Sequence, residues 1–398
     1  LFSGLFVFPA SSLTIKSTST GTTLYVDDDG GTDYTSIQDA IDASSDGDTI
    51  YVYNGTYYEK IVVDKSITLL GEDKDITIID GGGSGDVVCL SANWVTVRDL
   101  TIKKSGDSLY NSGIKIISNY TAIIYNNIVN NNGEGISIYG SNNNITGNNI
   151  FDNNWTGIGQ YFSSGNKISE NAIRNNIYGI GLIYSPDNNI TKNNITHNNL
   201  CGIFLDEFCD KNIINKNYIS FNNFTGIYLG YNNHENCIIG NNIFNNNCTG
   251  IDIHSYSSNN NVIYHNNFIN NTENSIDDGN NFWNSTFGQG NYWDDYVGED
   301  LLEPYGIGDT PYNISGGDNK DFYPLMEPYE EPSEPGPIKN QNTSETFYSI
   351  QDAIDDPDTQ NGHTVFVSSG TYNEKILVNK SIKLLGEDNN NTIIEYMN

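Results

Sequence analysis

The chain has 398 residues, a formal charge of −32 from 50 acidic and 18 basic side chains, 36% hydrophobic residues and a mean hydropathy of −0.46. Aromatic residues make up 12%, mainly 27 Tyr and 16 Phe, which excludes a disordered chain, because disordered segments are poor in aromatic and β-branched residues. So acidic a surface repels a phosphate backbone and argues against a nucleic-acid partner; divalent cations, a salty medium or solubility are better uses for the charge.

Residues 1–21 open with "LFSGLFVFPASSLTIKS", a short apolar run followed by small residues. It reads as the end of a secretory leader that lacks its basic region. No later segment approaches the ~20 consecutive apolar residues of a membrane span. Asn-x-Ser/Thr sequons at Asn54, Asn119, Asn154, Asn223 and Asn313 agree with export, although a chain rich in Asn and Thr produces them by chance. The expected location is extracellular, cell-surface or periplasmic.

The β-helix domain expected over residues 22–326 begins with "DYTSIQDAIDASSDGDTIYV". This stretch predicts a short helix, with Ser36 and Asp39 as a capping box and Ile37, Ala40 and Ile41 as its apolar face. Irregular coils follow through "TIYVYNGTYYEKIVVDKSITLLGEDKDITIID" and "VTVRDLTI".

From residue 113 to 276 the sequence repeats. A Gly-Ile step recurs at Gly113, Gly135, Gly157, Gly179, Gly202, Gly226 and Gly250, with spacings of 22, 22, 22, 23, 24 and 24. Two Ile columns follow each step, the first being Ile123, Ile145, Ile168, Ile190, Ile214, Ile238 and Ile263. Three short alternating apolar segments per unit are a strand pattern of period 2. So much Gly and Asn forbids long helices, leucine-rich repeats need Leu columns, and a propeller needs ~40–50 residues per blade. The fold class predicted is all-β, a right-handed three-sided parallel β-helix whose coils stack ~4.8 Å apart.

Two asparagine columns run beside the Ile columns. One is Asn126, Asn148, Asn171, Asn193, Asn217, Asn241 and Asn266; the other is Asn131, Asn153, Asn175, Asn198, Asn222, Asn246 and Asn271. Asn tolerates the left-handed backbone of a tight corner. Stacked one above another, its amides can donate and accept in a continuous ladder. The cysteines (Cys89, Cys201, Cys209, Cys237 and Cys248) fall on different coils or out of register, so no intrachain disulfide is expected.

The outward positions after each Gly-Ile step are the place for a binding groove. They give Tyr139, Tyr161, Tyr184, then Asp206 and Glu207, then Tyr231, then Asp252 and His254. A row of aromatic rings suits stacking on sugars, and carboxyls suit acid–base work at a glycosidic oxygen. The tyrosines and His254 are therefore expected to form a glycan-binding face, with Asp206, Glu207 and Asp252 as the acids of a catalytic alternative. Lys and Arg are sparse there, which disfavours a uronate lyase.

Residues 277–326 break the repeat with an aromatic, turn-rich segment in which Trp283, Trp293, Tyr312 and Tyr323 can close the last coil. A Pro- and Glu-rich linker is expected over 327–346. Residues 347–398 then repeat the opening text as "YSIQDAID…GTYNEKILVNKSIKLLGED", which reads as a truncated second β-helix module and points to tandem modules in a longer parent chain.

The strings "YTSIQDAID…GDTIYVYNGTYYEKIVVDKSITLLGED", the N-N-x-I coils and the ending "NYWDDY…GIGDTPYNI…DFYPLMEPY" resemble the NosD-like family. These are right-handed β-helices of the pectin-lyase-like superfamily, also described as carbohydrate-binding and sugar-hydrolase domains. The resemblance implies fold far more than activity, since this scaffold carries lyases, hydrolases, adhesins and copper-related accessory proteins. NosD implies copper, but only two Met occur, Met326 and Met397, and the His residues are scattered, so copper is not expected. The family's Asp-rich end segment suits Ca²⁺; here it reads "EDLLEPYGIGDTPY". Asp309, Asp318 and Asp321 there, and Asp27, Asp28, Asp29 and Asp33 near the start, offer at most a weak calcium site.

The function expected is a secreted or cell-surface β-helix, non-catalytic, with a polysaccharide-binding or an envelope or adhesion role, its partner a polysaccharide or cell-envelope glycan. A glycoside hydrolase or lyase is the alternative, and a NosD-like copper-handling protein the second.

Overall fold

A computed structural model describes residues 21–108, 111–286, 288–302, 306–330, 338–343, 345–347, 350–356, 358–373, 376–388 and 391–395. The expected leader apart from Gly21, residues 331–337 of the expected linker, and Met397 lie outside the described residues. The chain divides into two compact units between Tyr329 and Glu330.

The first unit is the predicted β-helix. Face A is an 11-stranded parallel sheet from Thr23–Val26 to Val262–Tyr264. Face B has 11 strands from Gly55–Tyr57 to Tyr292–Trp293, and face C has 10 from Ile61–Val63 to Glu273–Asp277. A single coil contributes Ala122–Ile124, Asn127–Val129 and Glu134–Ile138 to the three faces in turn. The Ile columns stack in register, Ile123 on Ile145 and Ile145 on Ile168, and all three are fully buried. Burying each such side chain contributes about 1.5–3 kcal/mol. The Gly of the Gly-Ile step is explained by close approach: a Cβ on Gly179 would lie 2.4 Å from the carbonyl oxygen of Gly202 on the next coil.

The asparagine ladders form at the corners and run in one direction. At the A–B corner, Asn126 donates its backbone N–H and its amide to Oδ1 of Asn148, at 2.9 and 3.1 Å, and each later coil repeats the pattern. The B–C ladder differs from the expected column at one position. Asn153 donates to Asn176, not to Asn175. Asn175 instead sits at φ 55° with its amide on Asp152, outside the coil. A third ladder, which the sequence reading missed, runs at the C–A corner through Asn143, Asn166, Asn188, Asn212, Asn236 and Asn261 to Asn281.

The N-terminal end is closed by helix α1, Ile37–Ala43, with Ser36 as its N-cap. Ser36 Oγ accepts from the Asp39 N–H at 3.3 Å, the forward half of the expected capping box, while Glu59 accepts from the backbone N–H groups of Ile37 and Gln38 at 2.8 and 3.0 Å. Lys65 donates to the carbonyls of Ile41, Asp42 and Ser44 at the other end, where cations are favoured. Gln38 pairs with both backbone groups of Val62, on the end strand of face C, and so covers an edge that would otherwise pair with another sheet.

The C-terminal end is closed by the expected aromatics. Trp293 stacks between Phe268 at 4.3 Å and Tyr312 at 4.1 Å, and Trp283 packs beside it at 5.7 Å. Tyr323 is 40% exposed and lies over Gly288 instead.

In the second unit, Thr364–Val367 pairs in parallel with Lys383–Gly386, and Gly370–Asn373 with Thr392–Glu395. Its helix, Ile350–Asp355, repeats the edge device of the first: Gln351 pairs with both backbone groups of Leu377.

Candidate functional site

Face C turns three kinds of outward position to the surface between Glu134 and Asp277. The sequence reading placed its candidates in a single row, but register separates them. Two residues after the Gly of each step come Ser137, Gly159, Gly181, Phe204, Tyr228 and Asp252. Four residues after it come Tyr139, Tyr161, Ile183, Asp206 and His254. Tyr184 and Tyr231 stand five residues after it, at the C–A corner.

At the corner the rings form a stack. Phe162 lies 5.0 Å from Tyr184 with 5° between the planes, and Tyr184 lies 5.8 Å from Phe208 with 17° between them. Phe162 is 71% exposed and Phe208 51%. All three adopt left-handed backbone, φ 51°, 49° and 54°. That conformation suits Gly, Asn and Asp, and costs a bulky side chain ~1–2 kcal/mol. The same left-handed turn recurs at the stacked pairs Trp94–Tyr120 and His197–Phe221, so it belongs to the coil corners generally; among the described residues, three rings in one exposed stack are particular to this one. The sequence reading found Tyr184 but missed Phe162, which stands at the same place after its Gly, and Phe208, which stands one residue further on.

The Tyr184 hydroxyl donates to Glu207, which also stands at the corner with φ 46°. Asp206, beside it, faces outward from the sheet. Its Oδ1 lies 2.9 Å from where a Cβ on Gly230 would sit, so the missing side chain leaves room for it. Burial, then the charge of Glu207, raises its carboxyl above the usual range.

Tyr139 and Tyr161 stack on the sheet face at 5.2 Å. Beneath them lies Glu134, which the sequence reading did not single out. It is 1% exposed and accepts from the hydroxyls of Tyr161 and Ser137. Burial pushes it up to about 7, against the lowering effect of those two hydroxyls. Nothing in local sequence marks it, because its burial depends on Gly159 and Tyr161 one coil away.

Asp252 is 8% exposed, in register with Tyr228, whose ring stacks on Phe204 at 5.4 Å. Its carboxyl is raised by burial, lowered by His254 and raised by Asp278. Tyr228 is raised by its own burial and by the charges of Asp252 and Asp206. His254 faces Asp278, with Nδ1 3.7 Å from Oδ2. Tyr231 is exposed at the corner.

The expected calcium residues gather at one of the two places only, Asp27, Asp28 and Asp29. Asp321 is fully buried and accepts from Asn291, Trp293 and Tyr323, so it is a structural acceptor in the C-terminal cap. Asp309 is held by the backbone N–H groups of Leu301 and Leu302, and Asp318 is exposed. Asp33 accepts from the backbone N–H of Tyr25. Asp27, Asp28 and Asp29 do lie close together, but Asp28 accepts from Thr56 N–H and Asp27 from Asp29 N–H.

A copper site does not fit the donors present. His197 stacks on Phe221 and His265 on Tyr329, while His234 accepts from Asn259 N–H. Among the described residues, no group of three close His, Cys, Asp or Glu side chains includes a histidine or a cysteine. All five cysteines are free, and burial pushes the thiols of Cys201 and Cys209 up to about 12, away from the thiolate that a metal needs.

Residues 85–235 match the family model described as "Right handed beta helix region", and residues 202–298 match "Periplasmic copper-binding protein (NosD)". A cell surface glycoprotein of Methanothermus fervidus is 57% identical over 47 residues, a match that spans 12% of this chain and 8% of that protein. Among solved structures, a PL6 alginate lyase in complex with a trisaccharide superposes with a TM-score of 0.50 at 14% identity, covering 65% of this chain and 62% of that one. XylC in complex with xylose gives 0.49 at 12% identity, with 76% and 73% covered. The Dettilon tailspike protein gives 0.47 at 14% identity, with 56% of each chain covered.

Proposed function

The chain is a NosD-like right-handed parallel β-helix of the pectin-lyase-like superfamily, and from that premise we propose that it is a non-catalytic glycan-binding protein of the cell surface. The observation that carries this reading is the exposed stack Phe162–Tyr184–Phe208 beside the outward carboxyls of Asp206 and Glu207. Rings supply the apolar surface on which a sugar packs, and carboxylates supply acceptors for its hydroxyls. The surface-glycoprotein relative and the NosD match, with its periplasmic name, support a place outside the cytoplasmic membrane. Among the described residues no helix is long and apolar enough to cross a membrane.

A second reading, a glycoside hydrolase, has an observation of its own. Asp206 and Asp252 both have raised carboxyls on one face, and both act on Tyr228. One experiment separates the two readings. The chain is passed over a panel of immobilised polysaccharides, with and without Ca²⁺, while retention and new reducing ends or unsaturated products are scored together. Retention without product supports binding; product release that Asp206→Asn abolishes supports hydrolysis.

A further inference from the structure

Most buried carboxyls of the β-helix are covered by donors. Glu134 has the hydroxyls of Ser137 and Tyr161. Asp277 has the indole N–H of Trp283 and the amide of Asn281. Asp321 has Asn291 and Trp293, and Asp80 is paired with Lys104 at 2.7 Å. Asp252, at 8% exposed, is slightly less enclosed than these, and its Oδ1 is buried with no hydrogen-bond partner, as is Oδ1 of the less buried Asp300 beyond the last coil. An anionic oxygen held away from water without a donor is costly, and in a folded protein it usually marks a missing partner.

A neutral donor would satisfy that oxygen, as at Glu134, Asp277 and Asp321, but a cation would also answer the charge of the face. From Thr156 to Asp277 the strands of face C contain no Lys or Arg, while Asp206 and Asp252 stand on them and Asp278 just beyond; Lys115 lies on an earlier strand, over Tyr139. His254 is turned to Asp278. A metal ion is a poor fit, since Ca²⁺ takes six to eight oxygens and Zn²⁺ at least three protein ligands. Among the described residues, no group of three potential ligands close enough to share an ion includes Asp252. An ammonium group needs fewer acceptors and no fixed geometry. The strand neighbour of Asp252 is Tyr228, stacked on Phe204, so a flat apolar surface stands one coil below the carboxyl.

We propose that Asp252, with the Phe204–Tyr228 pair, forms a subsite for a protonated amino sugar, the amine meeting the carboxylate and the pyranose packing on the rings. The subsite rests on the glycan-binding reading and gives it a substrate class. Its glycan carries 2-amino-2-deoxy sugars with free amines. A polyuronate is repelled by the same carboxyls.

Titration calorimetry of the full chain at physiological salt tests this with three oligosaccharides: a β-1,4-linked glucosamine tetramer, its N-acetylated counterpart and an oligogalacturonate. The proteins compared are the unaltered chain, Asp252→Asn, and Asp64→Asn, which removes the same charge at an exposed position at the other end of face C. The expected result is roughly tenfold or tighter binding of the amine tetramer over the acetylated one, lost in Asp252→Asn and kept in Asp64→Asn. Unchanged melting of the isosteric Asp252→Asn variant establishes that it is folded. Equal binding of the two tetramers, or a preference that survives Asp252→Asn, overturns the subsite and leaves glycan binding standing. Binding of none of the three, together with no retention on the polysaccharide panel, overturns both.

Discussion

Asn291, the last amide of the A–B ladder, donates its backbone N–H to Oδ2 of Asp321 at 2.7 Å. Every amide below it donates in the same sense, so the ladder's unfilled donor end meets a negative charge. The other two ladders end in the same way. Asn281 donates to Asp277, and Asn271 reaches Asn274, whose amide is shared by Asp294 and Asp295. Three columns of dipoles, each polarised along the axis, are closed by carboxylates from the C-terminal cap.

Removing that closure exposes the ladder's end. In Asp321→Ala the N–H groups of Asn291, Trp293 and Tyr323 lose their acceptor, so we expect a loss of about 3–5 kcal/mol in urea denaturation. Asp321→Asn keeps one acceptor oxygen and loses less.

Within a ladder, position decides the cost. Asn193→Ala strips the acceptor from both donors of Asn171 and the donor to the Ile168 carbonyl, and should cost about 2–4 kcal/mol. Asn175→Ala, at the exposed corner, should change stability by no more than about 1 kcal/mol. Equal effects in denaturation of the two variants would contradict the assignment of Asn176 to the ladder.

Glu134 makes stability depend on pH in a stated direction. Its folded carboxyl stands at about 7, above the ordinary value of 4.5, so the folded state holds the proton more tightly. That contribution is complete below pH 4.5 and is lost as pH rises through about 7. It is worth up to about 3 kcal/mol over the window. Glu134→Gln should flatten the profile between pH 4.5 and 7 and gain on the unaltered chain above it. Thermal melts of both proteins across that range check the sign.

At the C–A corner, function and stability should part company. Phe208→Asn relieves the left-handed backbone but forfeits stacking on Tyr184, two terms of about 1 kcal/mol with opposite sign. We expect a melting temperature within a few degrees of the unaltered chain and retention on the polysaccharide panel reduced roughly tenfold. A large fall in melting temperature would make the ring a structural member.

The architecture was readable in the sequence because each coil repeats one buried pattern: the Gly-Ile step, two Ile columns and an Asn at two of the three corners, the C–A column having gone unread. A period of 22 to 24 residues over seven Gly-Ile steps allows little else. Reading failed where two like residues stand side by side. Asn175 and Asn176 differ only in which faces inward, and that is set by contact with Asn153 and Asn198 on neighbouring coils. The candidate site was legible in part. Counting from the glycines found Tyr139, Tyr161, Asp206 and Asp252, but ran sheet and corner positions together. Glu134 and the Phe204–Tyr228 pair owe their character to the coil above or below, which no single repeat displays.

The most direct test of glycan recognition on face C is a crystal structure of the chain soaked with a neutral oligosaccharide that the panel retains. The account predicts sugar density packed against Phe162, Tyr184 and Phe208, with hydroxyls directed to Asp206 or Glu207. Sugar bound on face A or face B, with that corner bare, would contradict it.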